Sequence, residues 1–290
     1  MTTRITYNTM NSASLRGLQA GLSRVATLQE QLSSGKRMSS VSDDPTAAAA
    51  AMRLRSAKMA DDQYQRNSDQ ALGRLTTTDT ALTSLSDRVR SVRDLMVASN
   101  NAALNDEGRS ALAGQIDALR QEVISLYNTT YLDRPVFGGS APGSQAIDPA
   151  SGAYLGNDAP IEVRISADAT VRMDTAGSDA AADVLPAALA AVATSVRNGG
   201  ATGTDFADID AAFSKIQRSL GDVGSRTARL ESTQQVVESH RLDLNTRISE
   251  NEDVDLPETI MNLQAQQVGY QAALGATAKV LQTSLLDFLR

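Results

Sequence analysis

Positions 209, 213, 216, 220, 223, 227, 230, 234, 237, 241, 244 and 248 step by four and three without interruption, and nine of the twelve are Ile, Leu, Val or Phe. A hydrophobic period of 3.5 over that length predicts a long helix packed lengthwise against others, with left-handed supercoiling. Other segments follow the same rule. Leu15, Leu18, Leu22, Val25 and Leu32, with Gln29 filling the gap, mark one narrow seam that Gly35 should end. Ser42-Asp43-Asp44-Pro45 opens a second long helix, with Asp44 as cap and Pro45 at its first position. Its seam reads Leu72, Leu75, Leu82, Leu85, Val89, Val92 and Met96, and it should stop near Asn100-Asn101. A third helix carries Leu112, Ile116, Leu119, Val123 and Leu126. After a break at Asn251 to Asp255, a last helix restarts at Asp255-Leu256-Pro257-Glu258, a capping box, and bears Ile260, Leu263, Tyr270, Leu274, Leu281, Leu285 and Phe288.

From Pro135 the texture changes to turn chemistry: Gly138-Gly139, Pro142-Gly143, Ser151-Gly152 and Gly156-Asn157. Ile161, Val163 and Ile165 alternate with Glu162 and Arg164, and Val171 and Met173 alternate with Thr170 and Arg172, which predicts two half-buried strands. Leu185, Leu189, Val192 and Val196 share a face and predict a short helix over 184–197, ended by Asn198-Gly199-Gly200. The expected fold is mainly α: an elongated antiparallel helical bundle or coiled coil from both termini, with an inserted small β-containing domain. Residues 1–44 with 255–290 form a terminal helical assembly domain, 45–137 with 205–254 a helical bundle domain, and 138–204 an inserted surface domain. Such an insert should tolerate change between 140 and 200 better than either end.

Composition narrows the function. Aromatic residues are 3 %, Trp and Cys are absent, and the formal charge is -7. Without cysteine there is no disulfide framework and no thiolate site. The net negative charge argues against nucleic-acid binding, which needs clustered Lys and Arg. Residues 1–60 are the basic part, with eight basic and three acidic side chains, a weak hint of a targeting region. No apolar run is long enough to span a bilayer and the first residues lack the apolar stretch of a cleavable signal, so membrane insertion is not expected and export would use another route.

Catalytic, cofactor-binding and metal constellations are not expected. Gly35-Lys36 lacks the preceding glycine of a phosphate-binding loop. The single histidine, His240, falls on a helix flank beside the seam through Val237, Arg241 and Leu244, where a triad is improbable. Glu250, Glu252, Asp253 and Asp255 lack the glycine and ligand spacing of a calcium loop, and helix capping explains them better. Asn128-Thr129-Thr130 fits a glycosylation sequon and is assigned no role.

Both ends resemble the flagellin superfamily. The signature at the start is Leu32-Ser33-Ser34-Gly35-Lys36-Arg37 followed by Ser42-Asp43-Asp44-Pro45 and an alanine stretch. Gly221 to Glu231 is similar to the superfamily's C-terminal helix motif. Pro45, the run Gln267, Tyr270, Gln271, Ala272, Ala273 and Leu274, and the tail Ser284 to Leu289 resemble the hook-associated junction proteins more than the filament proteins. Phe137-Gly138-Gly139 and Gly152 to Gly156 resemble that branch's insert, whereas residues 157–205 match nothing specific.

The resemblance implies an exported structural subunit of the bacterial flagellum, carried unfolded through the type III apparatus with a chaperone on its C-terminal region. It implies a homo-oligomeric ring at the hook–filament junction, joining hook-associated protein 1 to flagellin. It also implies that Leu15, Leu18, Leu22, Val25, Leu32, Ile260, Leu263, Tyr270, Leu274, Leu281, Leu285 and Phe288 form the assembly interface. Narrow apolar stripes that cannot bury themselves alone fit such a role, because assembly then supplies their partner. Two rivals stand: flagellin itself, and a cytosolic coiled-coil signalling or regulatory protein, which long heptads alone would permit.

Overall fold

Side-chain and glycine caps set the helix boundaries. Asp44 Oδ1 accepts from the amides of Thr46 (3.1 Å) and Ala47 (2.9 Å), so Pro45 opens helix α2, Pro45–Ser99. Helix α1, Tyr7–Ser34, stops at Gly35, whose φ of +69° suits a residue without Cβ. Asn105 caps α3, Asp106–Tyr127, by accepting from the Gly108 amide. Helix α4, Leu185–Asn198, carries Pro186 in its first turn and ends at Gly199-Gly200. Helix α5 runs Gly203–Glu252, and Asp255 accepts from the Glu258 amide (3.1 Å) to start α6, Leu256–Phe288. The structure, a computed structural model, describes residues 7–101 and 104–288, with side chains over 12–101 and 104–279.

Two hairpins complete the regular structure among the described residues. Strand β3 (Glu162–Arg164) pairs antiparallel with β4 (Thr170–Arg172), Val163 opposite Val171, where alternation predicted strands. Strand β1 (Thr130–Tyr131) pairs with β2 (Arg134–Pro135) across Leu132 and Asp133, both at positive φ. The fold is mainly helical with a small β part, as the periodicity indicates.

The chain forms two compact units, Met1–Met59 with Leu242–Arg290, and Ala60–Arg241; α2 and α5 contribute to both. In the second unit the residues of α2 and α5 run antiparallel, since partners fall along one as they rise along the other: Asp61 with His240, Asp62 with Arg241, Asp69 with Gln234, Ser86 with Gln217, Arg93 with Asp210. Between them lie the predicted seams, Leu75, Leu82, Leu85, Val89, Val92 and Met96 from α2 and Ile209, Ile216, Val223 and Leu230 from α5, all buried. Each such side chain contributes about 1.5–3 kcal/mol by leaving water.

Residues 138–204 lie in this second unit and share its core. Ala146, Ile147, Ile165, Val171, Leu185, Leu189, Val192 and Val196 belong to one buried cluster with the α2, α3 and α5 seams, and α4 packs on α3. Polar side chains pin the same segment. The Tyr127 hydroxyl donates to Ala180 O (2.6 Å), with its ring edge-on to Phe137, and burial pushes its phenol pKa up. Asn128, the first residue of the sequon, accepts from the Ala146 and Ile147 amides and donates to Ile147 O (all 2.8 Å), so its amide is spent on the fold.

Candidate functional site

Unit one, containing α1 and α6, holds every residue expected at an assembly interface. Helices α1 and α6 pack antiparallel: a Cβ on Gly21 would stand 3.3 Å from the Tyr270 ring and 3.7 Å from the Gln266 amide, while Lys36 pairs with Asp253. Among the described side chains, the sheltered positions of α1 are Ser14, Leu18, Gly21, Val25, Leu28 and Leu32, with Gln31 beside the last; those of α6 are Thr259, Leu263, Gln266, Tyr270 and Thr277. Both series advance by three, four or their sum, so they form a heptad seam.

The expected interface residues divide between that seam and the outside. Leu18, Val25, Leu32, Leu263 and Tyr270 are half-buried. Leu15, Leu22, Ile260 and Leu274 face outward, at 57, 54, 45 and 44 % exposure. Met261 and Val268 join them on α6, and Val41, Met52 and Met59 on the rest of the unit. The side chains of Leu281, Leu285 and Phe288 lie outside the described residues. The pair therefore satisfies one narrow stripe and leaves a second apolar stripe in water. Leu28 continues the sheltered series, and its spacing alone signals as much. Gly21 carries no such signal, because its role is the room it leaves for Tyr270.

The acidic knot after α5 is an ion-pair clasp. Glu252, almost fully buried, takes Arg55 on Oε2 at 2.6 Å and Lys36 on the same oxygen at 3.5 Å. Lys36 Nζ also reaches Asp253 Oδ1 at 2.6 Å, and the Ser249 hydroxyl donates to Asp253 Oδ2 at 2.5 Å. The hydrogen bond to Asp253 holds the Lys36 ammonium above its ordinary value, and the bonds from Lys36 and Ser249 hold the Asp253 carboxyl below its own. Lys36 thus serves an ion pair rather than a phosphate loop. Asp255 spends its carboxylate on the α6 cap.

The remaining candidate chemistry is likewise absorbed. His240 Nδ1 meets Asp61 Oδ2 at 2.6 Å, and the neighbouring Ser239 hydroxyl donates back to Gln235 O within its own helix. Among the described residues, no group of three or more His, Asp or Glu is placed to hold a metal, and no helix is long and apolar enough to cross a membrane.

Comparison with known proteins agrees with the motifs at both ends. Residues 5–136 match the bacterial flagellin N-terminal helical region, and residues 206–289 match the bacterial flagellin C-terminal helical region. Flagellar hook-associated protein 3 of Escherichia coli (strain K12) is 26 % identical over 313 aligned residues, 98 % of this chain and 99 % of that protein. Flagellin of Bacillus subtilis (strain 168) is also 26 % identical, over 99 % of this chain and 100 % of its own. The crystal structure of flagellar hook-associated protein-3 from Legionella pneumophila covers 69 % of this chain and 98 % of its own, with a TM-score of 0.62 at 11 % identity, and so is similar in fold. With both helical regions matched and the helices found where those regions lie, the chain belongs to the bacterial flagellin family.

Proposed function

We propose that this protein is a structural subunit of the hook–filament junction, a hook-associated protein 3, which links hook-associated protein 1 to the flagellin filament through its terminal helices. A structural part in the flagellum follows from the family. The observation that carries the finer reading is the outward apolar stripe of a paired α1 and α6, at Leu15, Leu22, Ile260 and Leu274. Such a stripe asks for a partner helix, and a subunit that meets neighbours on two sides supplies them. The work of the molecule is then association rather than catalysis. Export in an unfolded state, a chaperone on the C-terminal region and assembly as a homo-oligomeric ring complete the proposal.

Flagellin is the second reading, favoured by the end-to-end match to the Bacillus subtilis protein. Pro45, Tyr270 and the Asp287-Phe288 tail weigh against it, being residues in which the sequence resembles the junction branch. Immunogold imaging of intact flagella separates the two. One band at the hook end is expected; labelling along the filament would establish the bulk subunit instead.

A further inference from the structure

The connections that follow α1 and α5 lie side by side. The Arg37 amide donates to Glu252 O (2.7 Å) and the Val254 amide donates to Gly35 O (3.1 Å), forming one antiparallel bridge between Lys36 and Asp253. The clasp described above sits on this bridge, and Gln31 Nε2 adds a bond to Arg37 O (2.9 Å). Its members come from the end of α1, the start of α2, and the end of α5 with the turn before α6. Glu252 is 5 % exposed and its Oε1 has no hydrogen-bond partner, so a buried carboxylate is neutralised through Oε2 alone. Replacing such a pair by apolar side chains is often neutral or stabilising, and its best attested use is fixing register.

Register is what the helix seam leaves open. Leu18, Val25 and Leu32 are seven residues apart, as are Ser14, Gly21 and Leu28 on α1 and Leu263, Tyr270 and Thr277 on α6. Sliding α1 by one heptad past α6 would exchange like positions for like, with a displacement of about 10 Å. Half-buried side chains mixed with Gly, Ser, Thr and Gln do little to forbid that slip. A buried charge that finds its cations in one alignment forbids it, because any other alignment strands the carboxylate.

We propose that the Lys36–Glu252–Arg55 clasp is a positioning device that fixes α1 against α6 in the single register assembly uses, so that the terminal helices enter an interface as a preset pair. This rests on the reading of α1 and α6 as the assembly surface. The chain has no cysteine, so spin labels placed at Leu15→Cys and Leu274→Cys in the full-length monomer report the register as one interlabel distance. The test variant replaces all three clasp residues, Lys36→Met, Arg55→Met and Glu252→Met, which avoids an unpaired buried charge, and circular dichroism checks that it is helical. A single narrow distance is expected in the parent and in the conservative pair Lys36→Arg with Arg55→Lys. In the Met variant a second population, displaced by about 10 Å, or a spread of distances is expected. A single unchanged distance in the Met variant overturns the positioning role, as does a variant that has lost its helices, since the clasp would then be a requirement for folding. The same clasp substitutions, in chains that keep Leu15 and Leu274, are added to bare hooks. If the Met variant has a mixed register yet supports filament growth at the parent rate, the preset register is not what assembly uses. If the parent itself fails to support growth, the junction reading fails and the register result stands apart from it.

Discussion

Asp174 is fully buried and accepts from the Ile161 amide (2.7 Å) and from Arg172 Nε (3.2 Å) and NH2 (3.1 Å), while its own carbonyl receives Arg226 at 2.6 Å. The Asp174 carboxylate therefore ties the start of the β3 strand to the end of β4, and the carbonyl of the same residue ties both to helix α5. Asp174→Ala strands a buried amide and a guanidinium, and a loss of about 3 kcal/mol is expected in urea unfolding of the second unit; a change below about 0.5 kcal/mol would show that the network is not structural. The clasp offers a second residue-scale test. Asp253, with its folded pKa depressed below 3.8, contributes stability that is present above that value and lost as pH falls through the depressed one. Lys36, raised above 10.5, contributes below that value and loses its part as pH rises further. Asp43, held low chiefly by the Ser40 amide, adds to the acid edge. The protection of α1 and α6 amides, taken relative to their intrinsic exchange rate at each pH, is thus expected to be flat at intermediate pH and to fall at both extremes. Asp253→Asn should flatten part of the acid edge, and an acid edge of undiminished size in that variant would remove Asp253 from the account.

At the scale of the element, helices are as strong as the seams they bury. The α2 and α5 seams are closed on both sides, whereas α1 and α6 shelter one stripe and expose another. Amides near Leu82–Met96 and Ile216–Leu230 are expected to exchange through unfolding of the whole second unit. Those near Leu18–Leu32 and Leu263–Leu274 should exchange about tenfold faster or more, through local opening. Equal protection in the monomer would contradict the idea that the outer stripe still awaits a partner. How far these elements could be read from sequence follows their physics. The α5 seam was plain, since every one of its twelve positions is sheltered, and Asp44 and Asp255 announced the helix starts they cap. The β1–β2 hairpin was silent, because Leu132 and Asp133 take positive φ without the Asn or Gly that signals such a turn. The clasp was silent for another reason: Lys36 and Arg55 lie about two hundred residues from Glu252, and no local pattern joins them. On α1 the leucine spacing predicted a single seam, and Leu15 and Leu22 fall outside the one that forms. Gly21 and Leu28 turn inward while Leu15 and Leu22 turn out, a choice made by the Tyr270 ring over Gly21.

At the scale of the whole molecule, the turn-rich middle was visible in composition, but its sharing of one core was not, since small residues such as Ala146 and Ala180–Ala182 carry no periodic signal. The expectation that residues 140–200 tolerate change meets a physical obstacle there. Ile147, Ile165, Leu185, Leu189, Val192 and Val196 are buried in the common cluster. At about 1.5–3 kcal/mol each, they are together comparable with the roughly 5–15 kcal/mol stability of a typical domain. Replacing the segment by a short Gly/Ser bridge is expected to abolish the cooperative melt of the second unit, and an unchanged melt would show that α2, α3 and α5 stand without it.

On the proposed function, the outward stripe of the terminal helices is the surface through which the subunit would meet its neighbours. It is tested most directly by adding purified Leu15→Asp with Leu274→Asp protein to bare hooks and measuring filament growth. Both leucines are already in water in the monomer, so the variant should keep its helical signal and its melting temperature. Burial against a neighbour would then leave two carboxylates unpaired, which disfavours the contact by several kcal/mol. A folded variant that supports no filaments where the parent does is the expected result; filament growth at the parent rate would show that the stripe is not the assembly surface.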